Sequence, residues 1–124
     1  MNAIMRICVS RVDKLGDMIL TLPAIKAIKI SNPNIKIYVL ASERNFSVLK
    51  GIEYIDEILV IDTTYKIKSI IEKILLIRRL KFDYFLNLSP TKLSYFLCFF
   101  SNAKKKAILI LLSRYRKSIF SNLL

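Results

Sequence analysis

Histidine is absent from this chain of 124 residues, which also contains only two glycines and two cysteines. Without histidine, Ser-His-Asp and Cys-His catalytic arrangements are excluded, and we expect any general base near neutral pH to be a carboxylate. The two glycines, Gly16 and Gly51, fit neither the G-x-G-x-x-G dinucleotide fingerprint nor a glycine-rich phosphate loop. The cysteines are isolated and the acidic residues are scattered, so we expect neither a disulfide nor a metal site.

Acidic residues are missing from the last third of the chain, where seven basic residues follow the final acid, Asp83. The net charge of +12 is compatible with an anionic membrane, a phosphorylated ligand or nucleic acid as a partner. Lysine outnumbers arginine 14 to 7, a composition that an AT-rich genome produces without selection for binding. The charge therefore permits such partners without identifying one.

Long apolar runs are also missing, although 54% of the residues are hydrophobic. No uncharged stretch reaches the ~18 residues that a membrane span requires. The first residues lack the charged, apolar and small-residue pattern of a signal peptide. We therefore expect a cytoplasmic protein.

Apolar segments of strand and helix character alternate along the whole chain. The predicted strands are residues 4–10, 35–41, 57–62, 82–88 and 107–112; the predicted helices are 17–31, 67–80, 90–101 and 114–124, with a short helix from 42 to about 50 and a basic turn at 102–106. This alternation predicts one α/β domain, residues 1–124, with a Rossmann-like, doubly wound parallel sheet in the order 3-2-1-4-5. Cys8 and Cys98 fall in apolar segments and are expected to be buried.

Two features of the predicted helices leave alternatives open. Pro23 lies within 17–31, so that helix either kinks there or begins there. Ser89 is the expected N-cap of the helix that Pro90 begins. The aromatic stripe at 93–100 in that helix is expected to pack in the core rather than to form a lipid-facing patch.

The most informative segment joins the first strand to the first helix, where Asp13 and Asp17 flank Gly16. A loop at the carboxyl end of a parallel strand is where α/β proteins place reactive groups. Asp17 therefore either caps the helix or serves as a general base, and its position alone does not decide between the two.

A longer motif surrounds these residues, R-V-D-K-L-G-D-M-I-L-T-L-P-A-I-K-A-I-K at 11–29, and it is specific. It resembles the N-terminal signature of glycosyltransferase family 9, the lipopolysaccharide heptosyltransferases. Weaker resemblances follow in order, at N-P-N-I-K-I-Y-V-L, S-E-R-N, Y-I-D-E-I-L-V-I-D, K-F-D-Y-F-L-N-L and S-N-A-K-K, up to about residue 106. The family resemblance thus covers nearly the whole chain.

The resemblance implies the N-terminal half of a GT-B fold, the domain that binds the sugar acceptor. It implies that Asp17 is the general base for inverting transfer of heptose from ADP-heptose to the lipopolysaccharide inner core, with no cofactor and no metal. The residues expected to bind the acceptor are Asp13, Lys14, Gly16, Ser89 and Thr91. The implied partner is the lipopolysaccharide core at the cytoplasmic face of the inner membrane, and nucleic acid is not expected.

The resemblance ends near residue 106, and residues 107–124 diverge from the family. By comparison with the family, we expect the C-terminal donor domain to be missing from this chain and the truncated chain to be inactive alone. It is then either a remnant or one half of an enzyme that a separately encoded donor domain completes. The alternative is a non-catalytic basic protein that associates with an anionic membrane or nucleic acid.

Overall fold

The computed structural model describes residues 4–64 and 66–108. The strands are β1 (Arg6–Ser10), β2 (Lys36–Ser42), β3 (Glu57–Ile61), β4 (Tyr84–Asn87) and β5 (Lys105–Ile108). The helices are α1 (Leu15–Ser31), α2 (Ile67–Leu80) and α3 (Lys92–Phe99), with a 3-10 turn at Phe46–Leu49.

The five strands form one parallel sheet in the order β3-β2-β1-β4-β5, which confirms the predicted order and fold class. β1 lies in the centre, where Cys8 pairs with Tyr38 of β2 and with Phe85 of β4. The connections from β1 to β2 and from β3 to β4 therefore run in opposite directions across the sheet. The loop after β1 consequently lies at the switch point, between the carboxyl ends of β2 and β4.

Each face of the sheet packs against a separate apolar layer. On one face, Cys8 and Phe85 pack with residues of α2 and α3, including Ile77 and Leu97. On the other face, Val9 belongs to a layer that contains Met18 and Ile25 of α1. Because neighbouring residues of β1 point to opposite faces, this central strand is buried on both sides.

Both cysteines are free and buried, as predicted. Burial raises the pKa of the Cys8 thiol, with a smaller contribution from nearby Cys98, and burial also raises the pKa of Cys98. Both thiols are therefore kept protonated, which makes them poor nucleophiles.

The helix beginnings differ from the sequence prediction. α1 starts at Leu15, two residues earlier than expected, and continues through Pro23 to Ser31. The predicted helix start at Pro90, with Ser89 as its cap, is wrong. Thr91 is the N-cap of α3, because its hydroxyl and the Ser94 side chain exchange hydrogen bonds with each other's backbone N–H groups in a capping box.

Two connections also differ from the prediction. Ser42 ends β2 instead of opening a helix, and the expected short helix is reduced to a 3-10 turn. The predicted basic turn at 102–106 is wrong at its end, because Lys105 and Lys106 begin β5. Lysine suits an edge strand, where its long side chain extends into solvent. The predicted strand residues 109–112 and helix 114–124 lie outside the described residues.

The aromatic stripe in α3 divides between the core and the surface. Leu93 and Leu97 are buried as expected, whereas Phe96 and Phe99 are 46% and 72% exposed. The expectation that the whole stripe packs in the core is therefore wrong for these two rings, which instead contact Phe100. None of the helices in the described residues is long and apolar enough to cross a membrane.

Leu97 and Phe99 provide a matched test of this packing within one helix. We expect Leu97→Ala to lower the free energy of unfolding by about 2–5 kcal/mol, because it opens a cavity in a filled core. Phe99→Ala should cost about 1 kcal/mol or less, because most of the ring is already in water. Urea unfolding followed by circular dichroism measures both, and equal losses would contradict the assignment of α3 to the core.

Candidate functional site

The loop from Arg11 to Lys14 joins β1 to α1 at the carboxyl edge of the sheet. At the start of the loop, the backbone hydrogen bonds that join β1 to β2 and to β4 continue for one more residue on each side. The Arg11 N–H donates to the Leu40 carbonyl at 2.9 Å, and the Leu88 N–H donates to the Ser10 carbonyl, also at 2.9 Å. The loop therefore starts from a fixed position between β2 and β4.

Ser89 holds the loop from the β4 side. Its hydroxyl accepts a hydrogen bond from the Val12 N–H at 2.8 Å and donates to the Ser10 carbonyl at 3.4 Å. The residue is fully buried. A direct contact between this hydroxyl and a ligand would require these bonds to break, so its observed contacts are those of a residue that positions the loop.

Asn45 holds the loop from the β2 side. Its amide nitrogen donates to the carbonyls of Arg11 and Asp13 at 2.8 and 3.3 Å, and its oxygen accepts from the Ser42 N–H at 2.9 Å. Asn45 is completely buried. An amide is the side chain that can donate and accept at once from one planar group, which is what this junction requires.

Arg11 connects the carboxylate of Asp13 in the loop with that of Asp17 in the first turn of α1. Its Nε lies 2.9 Å from Oδ1 of Asp13, and its Nη2 lies 3.5 Å from Oδ1 of Asp17. Its Nη1 donates to the Leu88 carbonyl at 2.6 Å. The Nε–Oδ1 contact does not satisfy hydrogen-bond geometry, so it acts through charge rather than through an aligned bond.

The two carboxylates have different surroundings. The Asp13 side chain is 17% exposed, whereas that of Asp17 is 38% exposed. Burial raises the pKa of the Asp13 carboxyl above its ordinary value; the Arg11 guanidinium opposes this shift and the charge of Asp17 adds to it. Asp17 is thus the more accessible of two carboxylates that share one cation.

Gly16 and Asp17 lie in the first turn of α1, not in a tight turn before it. Lys14 occupies the N-cap position, and its side chain makes no capping hydrogen bond. Asp17 stands two residues into the helix, where its charge interacts favourably with the helix dipole. At Gly16, an added Cβ would meet no atom within 4 Å, so the space above this glycine is open.

A cavity of about 190 Å³ opens beside the loop. Three predicted site residues line it, namely Asp13, Lys14 and Thr91, and the rest of its lining is Val12, Arg44, Thr63 and Leu93. It collects side chains from the carboxyl ends of β1, β2, β3 and β4. Larger cavities, of about 340, 480 and 320 Å³, lie against α2, against α3 and beside β4 and β5, all away from this loop.

The predicted residues therefore fall into three groups. Asp13, Lys14 and Thr91 line the cavity, and Asp17 is joined to Asp13 through Arg11. Gly16 is exposed in the same first turn, while Ser89 lies buried behind the loop. Thr91 lines the cavity even though its hydroxyl also takes part in the cap of α3.

Sequence reasoning missed Arg11, Arg44, Asn45 and Thr63. Arg11 stands first in the specific motif, and its place directly after a strand was the signal available for it. Arg44 and Asn45 stand in the S-E-R-N segment, which belongs to the family resemblance but does not indicate a function for either residue. Thr63 had no local signal: it is held at the end of β3 by Glu43, whose carboxylate accepts from both its N–H and its hydroxyl. Among the described residues, no group of three or more His, Cys, Asp and Glu side chains is arranged to hold a metal.

The parallel sheet with helices on both faces and a charged carboxyl edge is an α/β, Rossmann-like arrangement that matches a glycosyltransferase fold. Among solved structures, the chain is similar to the crystal structure of the glycosyl transferase family 9 from Veillonella parvula DSM 2008, with 27% sequence identity and a TM-score of 0.73. The similarity supports the family that the motif at 11–29 predicts, and with it a glycosyltransferase.

The similarity covers 86% of this chain and 32% of the Veillonella protein, so the chain spans about a third of that protein's length. No family model matches the chain. No curated protein matches it either.

Ser89 offers a test of how the loop is held. Ser89→Ala should lower the free energy of unfolding by about 1–3 kcal/mol, because the buried Val12 N–H loses its acceptor. Hydrogen exchange should accelerate at Val12 more than at Val9 in the neighbouring strand. Ser47→Ala, at an exposed serine, is the control and should change little. Unchanged exchange at Val12 would show that Ser89 does not hold the loop.

Proposed function

We propose that the chain is the acceptor-binding, N-terminal half of a GT-B glycosyltransferase of family 9, which transfers heptose from ADP-heptose to the lipopolysaccharide inner core. The observation that carries this proposal is the Asp17 carboxylate, accessible at the carboxyl edge of the sheet and tied to Arg11. The similarity to a family 9 structure supports the reaction class. The sugar donor and the acceptor come from the family resemblance.

In the proposed reaction, Asp17 accepts the proton of an acceptor hydroxyl as that oxygen attacks the anomeric carbon of the donor. The new glycosidic bond forms as the bond to ADP breaks, and the configuration at the anomeric carbon inverts. General-base assistance of this kind is worth about 10²–10⁴-fold in rate. In this proposal the effect comes from position, because the first turn of α1 fixes where the carboxylate stands relative to the acceptor hydroxyl.

The cavity beside the loop is the proposed acceptor subsite. Lys14 and Arg44 supply positive charge, and Arg44 suits planar carboxylates or phosphates because its donors form a fixed fork. Thr63 and Thr91 add hydroxyl groups to the same lining. An anionic core saccharide, held at the cytoplasmic face of the inner membrane, matches this combination of charges and hydroxyls.

The donor site is proposed to belong to a second domain. The chain spans about a third of its structural relative, and its described residues lack a glycine-rich phosphate loop. We therefore expect ADP-heptose alone to produce no thermal stabilisation of this chain. Transfer should require a donor-binding half supplied in trans, because leaving-group stabilisation and orientation both depend on it.

Asp17→Asn tests the proposed base. With a family donor half in trans, we expect the transfer rate to fall by about 10²–10⁴-fold, while acceptor affinity changes by no more than a few fold. Glu53→Gln, at an exposed acid in a turn away from the site, is the matched control and should keep full activity. Activity of Asp17→Asn equal to that of the parent chain would contradict the assignment.

The cavity is tested separately by calorimetric titration with a deacylated inner-core oligosaccharide. Lys14→Ala and Arg44→Ala should each weaken binding by about tenfold, the loss expected when a charge-assisted hydrogen bond is removed. Lys26→Ala, at an exposed lysine of α1, is the control. Tight binding instead to anionic vesicles or RNA, steeply weakened by salt and unaffected by Asp17→Asn, would favour the non-catalytic alternative.

A further inference from the structure

Arg11 contacts both neighbours of the central strand: its backbone bonds to the β2 side, and its side chain bonds to the β4 side. Its backbone is held on the β2 side, by Leu40 through its N–H and by Asn45 through its carbonyl. Its side chain crosses to the opposite side, where Nη1 donates to the Leu88 carbonyl at 2.6 Å. Arg11 is therefore fixed at both ends, with its backbone on the β2 side of the central strand and its guanidinium on the β4 side.

The remaining two edges of the guanidinium face the two carboxylates of the loop. Nε is 2.9 Å from Asp13, and Nη2 is 3.5 Å from Asp17. The side chains of Arg11 and Asp13 are only 15% and 17% exposed, so their contact lies largely away from bulk water and is weakly screened, whereas the contact with Asp17 is more open to solvent. The guanidinium donates a hydrogen bond to the Leu88 carbonyl while its delocalised charge faces both carboxylates, an arrangement that the compact point charge of a lysine ammonium does not reproduce.

The charges do not balance within this group. One guanidinium faces two carboxylates, and the shorter contact goes to the more buried one, Asp13. Asp13 is thereby matched by Arg11, whereas Asp17 has the longer contact and the greater exposure. The other charged side chains that line the adjoining cavity, Lys14 and Arg44, are exposed and remain available to a ligand.

We infer that Arg11 is the positioning residue of the site: it uses the Leu88 carbonyl as an anchor and Asp13 as a partly buried counter-ion to hold the Asp17 carboxylate at the sheet edge. Asp13 then helps to hold Asp17 by fixing the guanidinium, in addition to lining the cavity. The inference rests on the proposed function for the role of Asp17 in transfer, but the arrangement itself does not depend on that function.

A cycle of variants tests the arrangement without any activity measurement. The titration of the Asp13 carboxyl carbon is followed by NMR in the parent chain, Asp17→Asn, Arg11→Gln and the double variant. Asp17→Asn should lower the pKa of Asp13, because a neighbouring negative charge disappears. Arg11→Gln should raise the pKa of Asp13 above its value in the parent chain, because the opposing cation disappears.

The decisive comparison is the effect of Asp17→Asn in the Arg11→Gln background. We expect it to be smaller than in the parent chain, because the carboxylates separate when no guanidinium holds them. An equal effect in both backgrounds would overturn the inference. Arg79→Gln, at an exposed arginine of α2, is the control and should leave the Asp13 titration unchanged. If circular dichroism shows that Arg11→Gln does not fold, Arg11→Lys replaces it. Because lysine keeps the cation, only the effect of Asp17→Asn in the two backgrounds is then compared: a smaller effect in Arg11→Lys is expected, and an equal or larger one would overturn the inference.

The kinetic consequence is measured on Arg11→Lys with a donor half in trans. We expect kcat to fall about tenfold or more while KM for the acceptor stays within a factor of three, since misplacing a catalytic group affects the transition state most. A raised KM with unchanged kcat would contradict the positioning role. If no chain transfers sugar, the proposed function fails, and the titration cycle still decides the role of Arg11.

Discussion

The pairing of β1 with strands on both of its sides is the constraint on which the site depends. Because β1 pairs with β2 and β4, the chain that leaves it emerges in the middle of the carboxyl edge. Two buried polar side chains, Asn45 and Ser89, then hold this loop from opposite sides. A charged side chain placed on such a loop has a defined position before any ligand arrives, which is the preorganisation that catalysis requires.

Much of the fold was predictable because it depends on the spacing of apolar residues within each segment and on the alternation of strands and helices along the chain. The bounds of α2 were predicted to the residue, since apolar residues recur at helical spacing between Ile67 and Leu80. The strand order follows from apolar strands joined by right-handed crossovers. The position of Asp13 and Asp17 at the carboxyl edge of the sheet follows from the same rule. These features needed no knowledge of particular tertiary hydrogen bonds.

The details of the site were not predictable, because they depend on partners far apart in the sequence. Serine is a residue type that favours N-cap positions, but the Ser89 hydroxyl accepts a hydrogen bond from the Val12 N–H, and Thr91 caps the helix instead. Arg11 gains its importance from a carbonyl 77 residues away. Such contacts leave no periodic signal, so a motif can indicate that the loop matters without showing which side chain organises it.

The central claim is that the carboxylate of Asp17 meets the acceptor at this edge of the sheet. It is tested most directly by a crystal structure of the chain with a deacylated inner-core oligosaccharide bound. The account predicts an acceptor hydroxyl within hydrogen-bond distance of the Asp17 carboxylate, about 2.6–3.2 Å, with the anionic groups of the sugar near Lys14 and Arg44. A saccharide bound elsewhere, or an Asp17 side chain turned away from it, would contradict the account.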